Sequence, residues 1–410
     1  MSMADLTTTA APFKPSARVG RIRPSPSTAA ATRAGELKAA GVDLVDLTVG
    51  EPDMDTPSVA AEAGIAAIRA GRTRYTPVNG LPELRRAILS RHAADTGIDR
   101  VEAEITLGGG GKHVIFSALM AALDPGDEVI IPAPYWVSYP DMVMANDGTP
   151  IILTCPQEHG FRLTPGQLEA AITPRTRWLI LNNPGNPTGA VYSRAELAAL
   201  GAVLEAHPHV WVLADEIYDS IWFGEAAPVS FAAAVPHMRD RTLIVNGVSK
   251  SHAMTGWRLG WGLGPPPLIR AINTLQSQMS SCPSSVTQMA AVAALSGPQD
   301  FSEASRAVYR RRRDLAVAAL AQVPGLSVTP SEGAFYLFPN CAGLIGRERP
   351  DGAVIANDLD LVVFFLEQGV ATIHGAAYGL SPHFRLSIAT SDALLAEGCA
   401  RIAAAAALLR

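Results

Sequence analysis

The sequence predicts a doubly wound α/β domain followed by a smaller α+β domain. Four short apolar runs in the middle of the chain lack polar alternation, which indicates strands that are buried on both faces, as in a parallel sheet. Ala- and Leu-rich helical patterns separate these runs, and strands that alternate with helices are typical of α/β folds. The four predicted strands cover residues 128–131, 178–181, 210–213 and 243–245.

Helical patterns between the strands complete the predicted large domain, which we place at residues 51–297. One pattern covers residues 114–123, and another covers residues 194–206. The second begins after Ser193, and Glu196 follows three residues later, which is the spacing of a capping box. Ligands of such sheets bind at the carboxyl ends of the strands. Residues that directly follow the predicted strands are therefore the first candidates for chemistry.

The pattern changes after residue 297. A long helical stretch is followed by short strand-like runs, which predicts a small α+β domain at residues 298–410. We expect residues 21–50 to pack with this domain. Residues 1–20 are rich in Thr, Ala and Pro and are expected to be disordered. Within the small domain, helices are predicted at residues 301–320 and 402–409, and strands at 326–328, 335–338 and 384–388.

Composition and charge exclude several classes of function. The chain has 410 residues, of which 48% are hydrophobic and 17% are charged, as in ordinary globular proteins with a large core. The net charge is -5, and the one arginine run, at residues 310–313, is too short to indicate a nucleic-acid partner. We find no membrane span and no secretory signal. The four cysteines lack metal-type spacing, so we expect reduced thiols, no metal site and a cytoplasmic location.

The segment from Gly247 to Gly260 carries the strongest chemical signal. Lys250 follows small residues at the end of a predicted strand, and Arg258 lies eight residues later. A lysine amine forms a Schiff base with an aldehyde, and a guanidinium binds a phosphate through two parallel hydrogen bonds. The segment GVSKSHAMTGWRLG resembles the cofactor-lysine signature of class I aminotransferases, which use pyridoxal 5'-phosphate (PLP).

This resemblance extends from residue 21 to about residue 402 and is closest to the bacterial aspartate and prephenate aminotransferase branch. It implies the type I fold of PLP-dependent transferases, with a large, mostly parallel sheet domain and a smaller α+β domain. It also implies a homodimer that shares its active sites between subunits. The implied reaction is ping-pong transfer of an amino group from aspartate, or another acidic or aromatic donor, to a 2-oxo acid such as 2-oxoglutarate.

A glycine run at residues 108–111 precedes a predicted helix. Glycines let the backbone approach an anion, and a helix N-terminus supplies free N–H groups and a positive dipole end. Tyr75 matches a family tyrosine that reaches the cofactor phosphate from the other subunit, although by itself it is equally consistent with a half-buried loop aromatic. By the resemblance, the phosphate is held within each subunit by Gly110, Gly111, Lys112, Ser249 and Arg258.

Asp215 lies just beyond the predicted strand at residues 210–213. A carboxylate there can face the pyridine nitrogen of PLP and keep it protonated, which makes the ring an electron sink. An Asp-Glu pair at a strand end is also a common helix cap, so the motif alone leaves both interpretations open. The resemblance assigns Asp215 to the pyridine nitrogen and Tyr218 to the phenolic oxygen of the ring. Glu216 is interpreted as structural.

The run NPGNPTG at residues 183–189 consists of turn-forming residues. It also resembles a family motif in which the second asparagine, here Asn186, hydrogen-bonds the phenolic oxygen. Trp136 belongs to an aromatic cluster at residues 134–140. Such clusters are more often core, but the family pattern places Trp136 against the cofactor ring, where an aromatic side chain can stack.

The predicted substrate contacts begin with Arg385, which matches the family arginine that binds the α-carboxylate. A planar guanidinium suits that role, although an arginine in an alternating strand would otherwise be a surface residue. Gly50 matches a glycine whose backbone lies along the same carboxylate. The side chain of Lys112 is predicted to contact the distal carboxylate of a dicarboxylic substrate, the alternative being a solvated lysine. Trp136 and Asn186 complete the predicted substrate site.

The predicted catalytic residues are Lys250, Asp215 and Tyr218, with Lys250 moving the Cα proton as base and then as acid. The same fold and motifs serve β-lyases, decarboxylases and cyclopropane synthases, so those reactions stay open as alternatives. A PLP-binding regulator is a remote alternative. Such regulators carry a DNA-binding module before this fold, and only about twenty residues precede Arg21 here.

Overall fold

A computed structural model of the protein describes residues 13–24 and 26–410. Residues 1–12, which belong to the segment expected to be disordered, lie outside the described residues. The described part of that segment contains a short helix, Ala17–Gly20. Within the described residues, none of the helices combines the length and apolar character that crossing a membrane requires.

Twelve strands occur in the described residues, and we number them in chain order. They are β1 (Val45–Asp46), β2 (Ile105–Gly108), β3 (Glu128–Ala133), β4 (Thr149–Thr154), β5 (Thr176–Asn182), β6 (Trp211–Asp215), β7 (Thr242–Gly247), β8 (Gly260–Leu263), β9 (Tyr336–Leu337), β10 (Val370–Ala371), β11 (Ile373–His374) and β12 (Phe384–Ser387).

The α-helices are numbered in the same way. They are α1 (Ala17–Gly20), α2 (Pro26–Ala39), α3 (Ser58–Arg69), α4 (Pro82–Thr96), α5 (Gly111–Ala122), α6 (Tyr139–Ala145), α7 (Pro165–Ala171), α8 (Arg194–Glu205), α9 (Phe231–Ala234), α10 (Val248–Ser251), α11 (Pro266–Met279), α12 (Ser285–Ser296), α13 (Asp300–Leu320), α14 (Asp358–Glu367) and α15 (Asp392–Leu408). Short 3-10 helices lie at Glu102–Glu104, Gln157–His159, Pro236–Arg241, Ala342–Leu344 and Gly375–Tyr378.

Seven strands form one sheet in the order β2-β8-β7-β6-β5-β3-β4. The pairs from β7 to β4 are parallel, whereas β8 runs antiparallel to both of its neighbours. After β3 the chain crosses to the edge strand β4 and then returns past β3 to β5, β6 and β7, so the strand order reverses between β3 and β5 and crossover helices lie on both faces. The predicted doubly wound, mostly parallel sheet is thus confirmed, and all four predicted strands belong to it.

The absence of polar alternation in these strands has a packing cause. Val129 and Ile131 of β3 lie in the apolar cluster formed with α5 and α11. Ile130, between them, lies in the cluster that includes α8 on the opposite face. Successive side chains of a strand point to opposite faces, and here both faces are covered.

The predicted cap of α8 is also present. Ser193 Oγ accepts from the backbone N–H of Glu196 at 3.2 Å, and Glu196 Oε2 accepts from the backbone N–H of Ser193 at 2.8 Å. This reciprocal pair satisfies two donors that the first helical turn leaves free. Removing such a cap typically costs about 1 kcal/mol of stability.

The C-terminal part of the chain contains two small sheets. One is the parallel pair β1-β10, which joins the segment at residues 21–50 to the C-terminal part. The other has the order β11-β12-β9 and is antiparallel. The prediction of a strand at residues 326–328 is wrong, because Ser327 makes only an isolated bridge to Asn340.

Candidate active site

A cavity of about 470 Å³ lies at the carboxyl ends of β5, β6 and β7. This is the edge at which the sequence predicted the chemistry. Gly110 is not among its lining residues but precedes Gly111 directly, and Tyr75 lies elsewhere. The predicted site residues that line the cavity are Gly50, Gly111, Lys112, Trp136, Asn186, Asp215, Tyr218, Ser249, Lys250, Arg258 and Arg385.

Lys250 lies in α10, three residues after the end of β7. Its Nζ donates a hydrogen bond to the carbonyl oxygen of Gly50 at 2.5 Å. Loss of hydration lowers the pKa of Lys250 to about 8, and the charges of Arg385 and Arg258 act in the same direction. A neutral amine is the nucleophilic form of lysine. The surroundings therefore make the reactive form of Lys250 accessible near neutral pH.

Asp215 is the last residue of β6 and is 5% exposed. Tyr139 Oη donates to its Oδ2 at 2.6 Å, and the backbone N–H of Ile217 donates to its Oδ1 at 3.3 Å. Burial raises the pKa of Asp215 to about 6, although both hydrogen bonds favour the charged form. These partners are neutral. A buried carboxyl group with neutral partners is suited to a cationic group of a ligand, such as a protonated ring nitrogen.

Arg385 lies on β12 and is only 2% exposed, so the surface alternative for this residue is wrong. Its Nη1 donates to Asn186 Oδ1 at 3.1 Å, and its Nη2 donates to the carbonyl oxygen of Thr48 at 2.6 Å. Its Nε has no hydrogen-bond partner among the described residues. A buried cation with neutral partners is costly unless an anion pairs with it. The guanidinium is therefore suited to bind a carboxylate in the cavity.

The glycine run and Arg258 form a cradle at the N-terminus of α5. Gly110 precedes that helix with φ +98°, and a Cβ at this position would overlap the Arg258 guanidinium. Arg258 itself has φ +54°, a conformation that non-glycine residues rarely adopt and that is typical of functional sites. Its Nη2 donates to the carbonyl of Gly109 at 3.0 Å, and its Nη1 donates to that of Thr255 at 2.8 Å.

This cradle fits a phosphate group. The first N–H groups of α5 have no partners within the helix, the dipole of the helix favours an anion there, and Arg258 adds a positive charge. Ser249 is buried beside it in the same cavity. With Lys250 as the amine and Asp215 as the buried carboxyl group, the donor set matches the aldehyde, ring nitrogen and phosphate of PLP.

Lys112 and Trp136 lie next to each other at the wall of the cavity. Lys112 Nζ is 4.7 Å from the centre of the Trp136 ring, within the range of a cation–π contact. Burial, together with the charge of Arg258, lowers the pKa of Lys112. Lys112 also lines a neighbouring cavity of about 390 Å³ together with Ile22 and Arg23. Its side chain thus lies between the main cavity and the N-terminal segment.

Two further residues of the sequence analysis, Tyr75 and Glu216, lie outside the cavity. Tyr75 is 91% exposed, so its interpretation as a half-buried loop aromatic is wrong, and a single chain does not bring it to the site. Glu216 is buried and accepts hydrogen bonds from Ser230 Oγ and from the backbone N–H of Phe231, both at 2.9 Å. It thereby holds the start of α9, as a structural residue would.

Sequence reasoning did not single out two tyrosines of the cavity. Tyr139 lies in the aromatic cluster at residues 134–140 and hydrogen-bonds Asp215. Tyr336 lies in the predicted strand at residues 335–338, and its Oη is 2.9 Å from Tyr218 Oη. A buried tyrosine hydroxyl needs a partner, but the sequence does not reveal which residue supplies it.

Known proteins that are similar to this chain agree with the chemistry of the cavity. The family model described as "Aminotransferase class I and II" matches residues 42–402. The "Aspartate/prephenate aminotransferase" of Cereibacter sphaeroides is 51% identical over 387 residues, which cover 94% of this chain and 97% of that protein. The crystal structure of the aspartate aminotransferase from Rhizobium meliloti aligns with a TM-score of 0.95 and 47% identity, covering 97% of this chain and 100% of that one.

A second solved structure is the aspartate aminotransferase from Thermus thermophilus with maleate. It aligns with a TM-score of 0.89 and 38% identity, and the alignment covers 96% of this chain and 100% of that one. Both alignments therefore extend over nearly the whole chain rather than over one part of it.

Proposed function

The chain belongs to the class I and II aminotransferase family, and from that premise we propose that aspartate, or another acidic or aromatic amino acid, is its amino donor and a 2-oxo acid such as 2-oxoglutarate its acceptor. It is a PLP-dependent aminotransferase with the type I fold. The names of relatives that are about half identical over most of the chain support transamination over the β-lyase, decarboxylase and cyclopropane synthase reactions.

One observation carries this proposal: a single cavity holds an amine, a buried carboxyl group and a buried guanidinium, and the described residues give that guanidinium only neutral hydrogen-bond partners. These groups belong to Lys250, Asp215 and Arg385. Together they suit an amino acid substrate and PLP. The amine would contact the reacting carbon, the carboxyl group would contact the ring nitrogen, and the guanidinium would bind the substrate carboxylate.

When bound, PLP supplies an electron sink that stabilises the charge left on the substrate Cα after its proton is removed. Lys250 binds the cofactor covalently at rest. Once displaced by substrate, the free Lys250 Nζ would act as the base that takes the proton from the substrate Cα, and the resulting ammonium group would act as the acid that delivers this proton to the C4' atom of the cofactor. Arg385 fixes the α-carboxylate by two parallel hydrogen bonds, which holds the Cα–H bond near Lys250.

The remaining residues hold the cofactor. Asp215 would keep a proton on the ring nitrogen, and Trp136 would stack on the ring. Asn186 Oδ1 already accepts from Arg385, so its Nδ2 is the group that can donate to the phenolic oxygen, next to the hydroxyl of Tyr218. The cradle would hold the phosphate, with Gly110, Gly111, Lys112, Ser249 and Arg258 around it.

We also propose that the protein is a homodimer in the cytoplasm. Each chain has a large domain at residues 51–297 and a small domain made of residues 21–50 and 298–410. The exposed Tyr75 supports shared active sites, because it is 91% exposed in the single chain and is therefore accessible to a second subunit. In the dimer its hydroxyl would donate to the cofactor phosphate of the other subunit.

Mixed dimers test whether Tyr75 acts across the interface. Chains that carry both Tyr75→Ala and Lys250→Ala are combined with wild-type chains. In a mixed dimer only the wild-type chain has Lys250. If Tyr75 acts across the interface, the site with that lysine then faces the Tyr75→Ala position of the mutant chain. We expect this site to bind PLP about tenfold more weakly than normal, because a hydrogen bond to a charged group is lost. Mixed dimers with Lys250→Ala alone are the control. Equal PLP affinity in the two mixtures would show that Tyr75 does not act in trans.

A screen of amino donors with 2-oxoglutarate as acceptor tests the proposed function and the role of Lys112. The absorbance of the cofactor reports the reaction. A lysine at the distal carboxylate contributes roughly 1.5–3 kcal/mol to dicarboxylic substrates. We therefore expect Lys112→Ser to lower kcat/KM for aspartate and 2-oxoglutarate by about ten- to a hundredfold, with little effect on alanine or aromatic donors.

The matched control is Lys38→Ser, which changes an exposed lysine outside the cavity. It should leave the donor profile unchanged. An equal loss for all donors in Lys112→Ser would assign this residue to cofactor binding instead. Absence of transamination with every donor in the wild-type protein would contradict the proposed function itself.

A further inference from the structure

Tyr336 contacts both Arg385 and Tyr218, two site residues that are far apart in the sequence. It lies on β9, is 1% exposed, and lines the cavity. In the register of β9 and β12, Tyr336 is opposite Ser387. Arg385 is two residues from Ser387 and projects from the same face of the sheet, within reach of a long side chain across the strands. The Arg385 guanidinium carbon accordingly lies 4.4 Å from the centre of the Tyr336 ring.

The Arg385 guanidinium carbon lies over the ring of Tyr336 and, at 5.2 Å, also over that of Tyr378. Stacking on an aromatic face leaves the N–H groups of an arginine free in their own plane. Two of the nitrogens of Arg385 are held by Asn186 and Thr48. The ring therefore restrains the orientation of the fork without using the hydrogen-bonding positions that a carboxylate needs.

The hydroxyl of Tyr336 points in another direction. Its Oη is 2.9 Å from Tyr218 Oη, and either atom can be the donor in this geometry. Tyr218 follows β6 in the large sheet, whereas Tyr336 belongs to the small sheet of β9, so this hydrogen bond joins the two sheets. The Tyr336 hydroxyl also lies against Gly50, where an added Cβ would be 3.4 Å from its oxygen.

The direction of the hydrogen bond follows from a count of protons. A tyrosine hydroxyl has one hydrogen to donate. In the proposed function Tyr218 donates that hydrogen to the phenolic oxygen of the cofactor. Tyr218 can then only accept from Tyr336, so the chain of donors runs from Tyr336 through Tyr218 to the cofactor. Hydrogen bonds in such a chain polarise and strengthen one another.

We propose that Tyr336 is a positioning residue that couples the carboxylate-binding Arg385 to the phenolic-oxygen donor Tyr218. Its ring orients the guanidinium, and its hydroxyl directs the proton of Tyr218 toward the cofactor. This inference rests on the proposed function, because it requires both PLP and a substrate carboxylate. A residue that only filled the core would contribute its ring but not its hydroxyl.

Tyr336→Phe separates these contributions, since it removes the hydroxyl and keeps the ring. The PLP-loaded protein is titrated with base while the visible absorbance of the cofactor is followed. The hydrogen bond from Tyr218 stabilises negative charge on the phenolic oxygen. This stabilisation matters most when the nitrogen that links Lys250 to PLP is deprotonated, because no positive charge then lies beside the oxygen. A weaker hydrogen bond therefore disfavours the deprotonated form and raises the pKa of that nitrogen. We expect the midpoint to rise by about half to one pH unit, as for the loss of one hydrogen bond.

The same variant should lower kcat about three- to tenfold and leave KM within about twofold, because the ring still orients Arg385. Tyr309→Phe is the matched control. Tyr309 is also a buried tyrosine, packs on Phe335 at 5.5 Å, and does not line the cavity. The titration midpoint and the kinetic constants of Tyr309→Phe should equal those of the wild type.

The outcomes distinguish this inference from the proposed function. A wild-type protein that takes up no PLP would overturn the proposed function and with it the role of Tyr336. A wild type that loads and titrates normally, with an unchanged midpoint in Tyr336→Phe, would overturn only the role of Tyr336. An equal shift in Tyr309→Phe would also overturn it, because the effect would then reflect general loosening of the core.

Discussion

Replacement of Lys250 by alanine is expected to abolish turnover while the protein still folds. The side chain is partly exposed in the cavity, and its amine makes one hydrogen bond, to the carbonyl of Gly50, so little packing is lost. The variant loses both the covalent anchor of PLP and the base that moves the Cα proton. Because a general base alone contributes about 10²- to 10⁴-fold, we expect kcat to fall by at least about a thousandfold.

Borohydride reduction followed by peptide mapping provides the direct measurement. The reduced cofactor should label the wild-type protein at Lys250, and Lys250→Ala should remain unlabelled. The other three lysines are Lys14, Lys38 and Lys112, and they serve as internal controls. A cofactor label on any of them would show that the anchor had been assigned to the wrong residue.

Asp215→Asn is expected to bind PLP but to lose most of its activity. The substitution keeps the shape of the side chain and an oxygen that can accept from Tyr139, but it removes the charge that holds the ring nitrogen protonated. Loss of one partner of a buried ion pair typically costs about 3–5 kcal/mol, which corresponds to a decrease in kcat of roughly a hundred- to several thousandfold. Cofactor absorbance reports binding, and steady-state kinetics report the loss.

The neighbouring carboxyl group supplies a control for this experiment. Glu216→Gln changes a buried side chain that bonds Ser230 and Phe231 and does not line the cavity. It should retain near-normal kcat if it folds. Near-normal turnover in Asp215→Asn would remove Asp215 from its proposed role, whatever the behaviour of Glu216→Gln.

The same Asp215→Asn variant has a second readout, in the protein without PLP. The folded state raises the pKa of Asp215 from 3.8 to about 6 because the carboxyl group is buried. Below about pH 4 the carboxyl group is protonated in both the folded and the unfolded protein. Between about pH 4 and pH 6 the unfolded protein loses this proton more readily, so the free energy of unfolding decreases. Above pH 6 this decrease levels off at about 3 kcal/mol. The Tm of the variant should therefore exceed that of the wild type at pH 8, and this advantage should shrink at pH 4.5.

The large sheet was predictable because its central strands are buried on both faces and each is long enough to form an apolar run. Strand β8 was not, since residues 260–263 read Gly-Trp-Gly-Leu and glycine is depleted in strands. The structure shows why glycine is needed there. A Cβ on Gly260 would overlap the backbone of Gly111 at the start of α5. Close approach to the cradle, rather than strand propensity, determines this residue.

The candidate site was predictable where a functional residue directly follows a strand, as Asp215 and Lys250 do. Tyr336 could not be found in this way, because its contacts depend on the pairing of β9 with β12 and on the contact between two sheets. It is separated from Tyr218 by 118 positions in the sequence. Tyr75 poses a different difficulty, because its proposed contact lies in another copy of the chain.

The pairing of β7 with β8 has a consequence for how the site can vary among proteins of this kind. The chain leaves the sheet at Gly247 and returns at Gly260, which pairs with it, and the closed loop between them contains both Lys250 and Arg258. The distance between the two proposed attachment points of PLP is therefore set by the length of one loop, whose ends are fixed. An insertion between residues 250 and 258 would displace one attachment point relative to the other. An insertion in the exposed turn at residues 224–226 would not. The loop therefore fixes the spacing of the two attachment points of the cofactor.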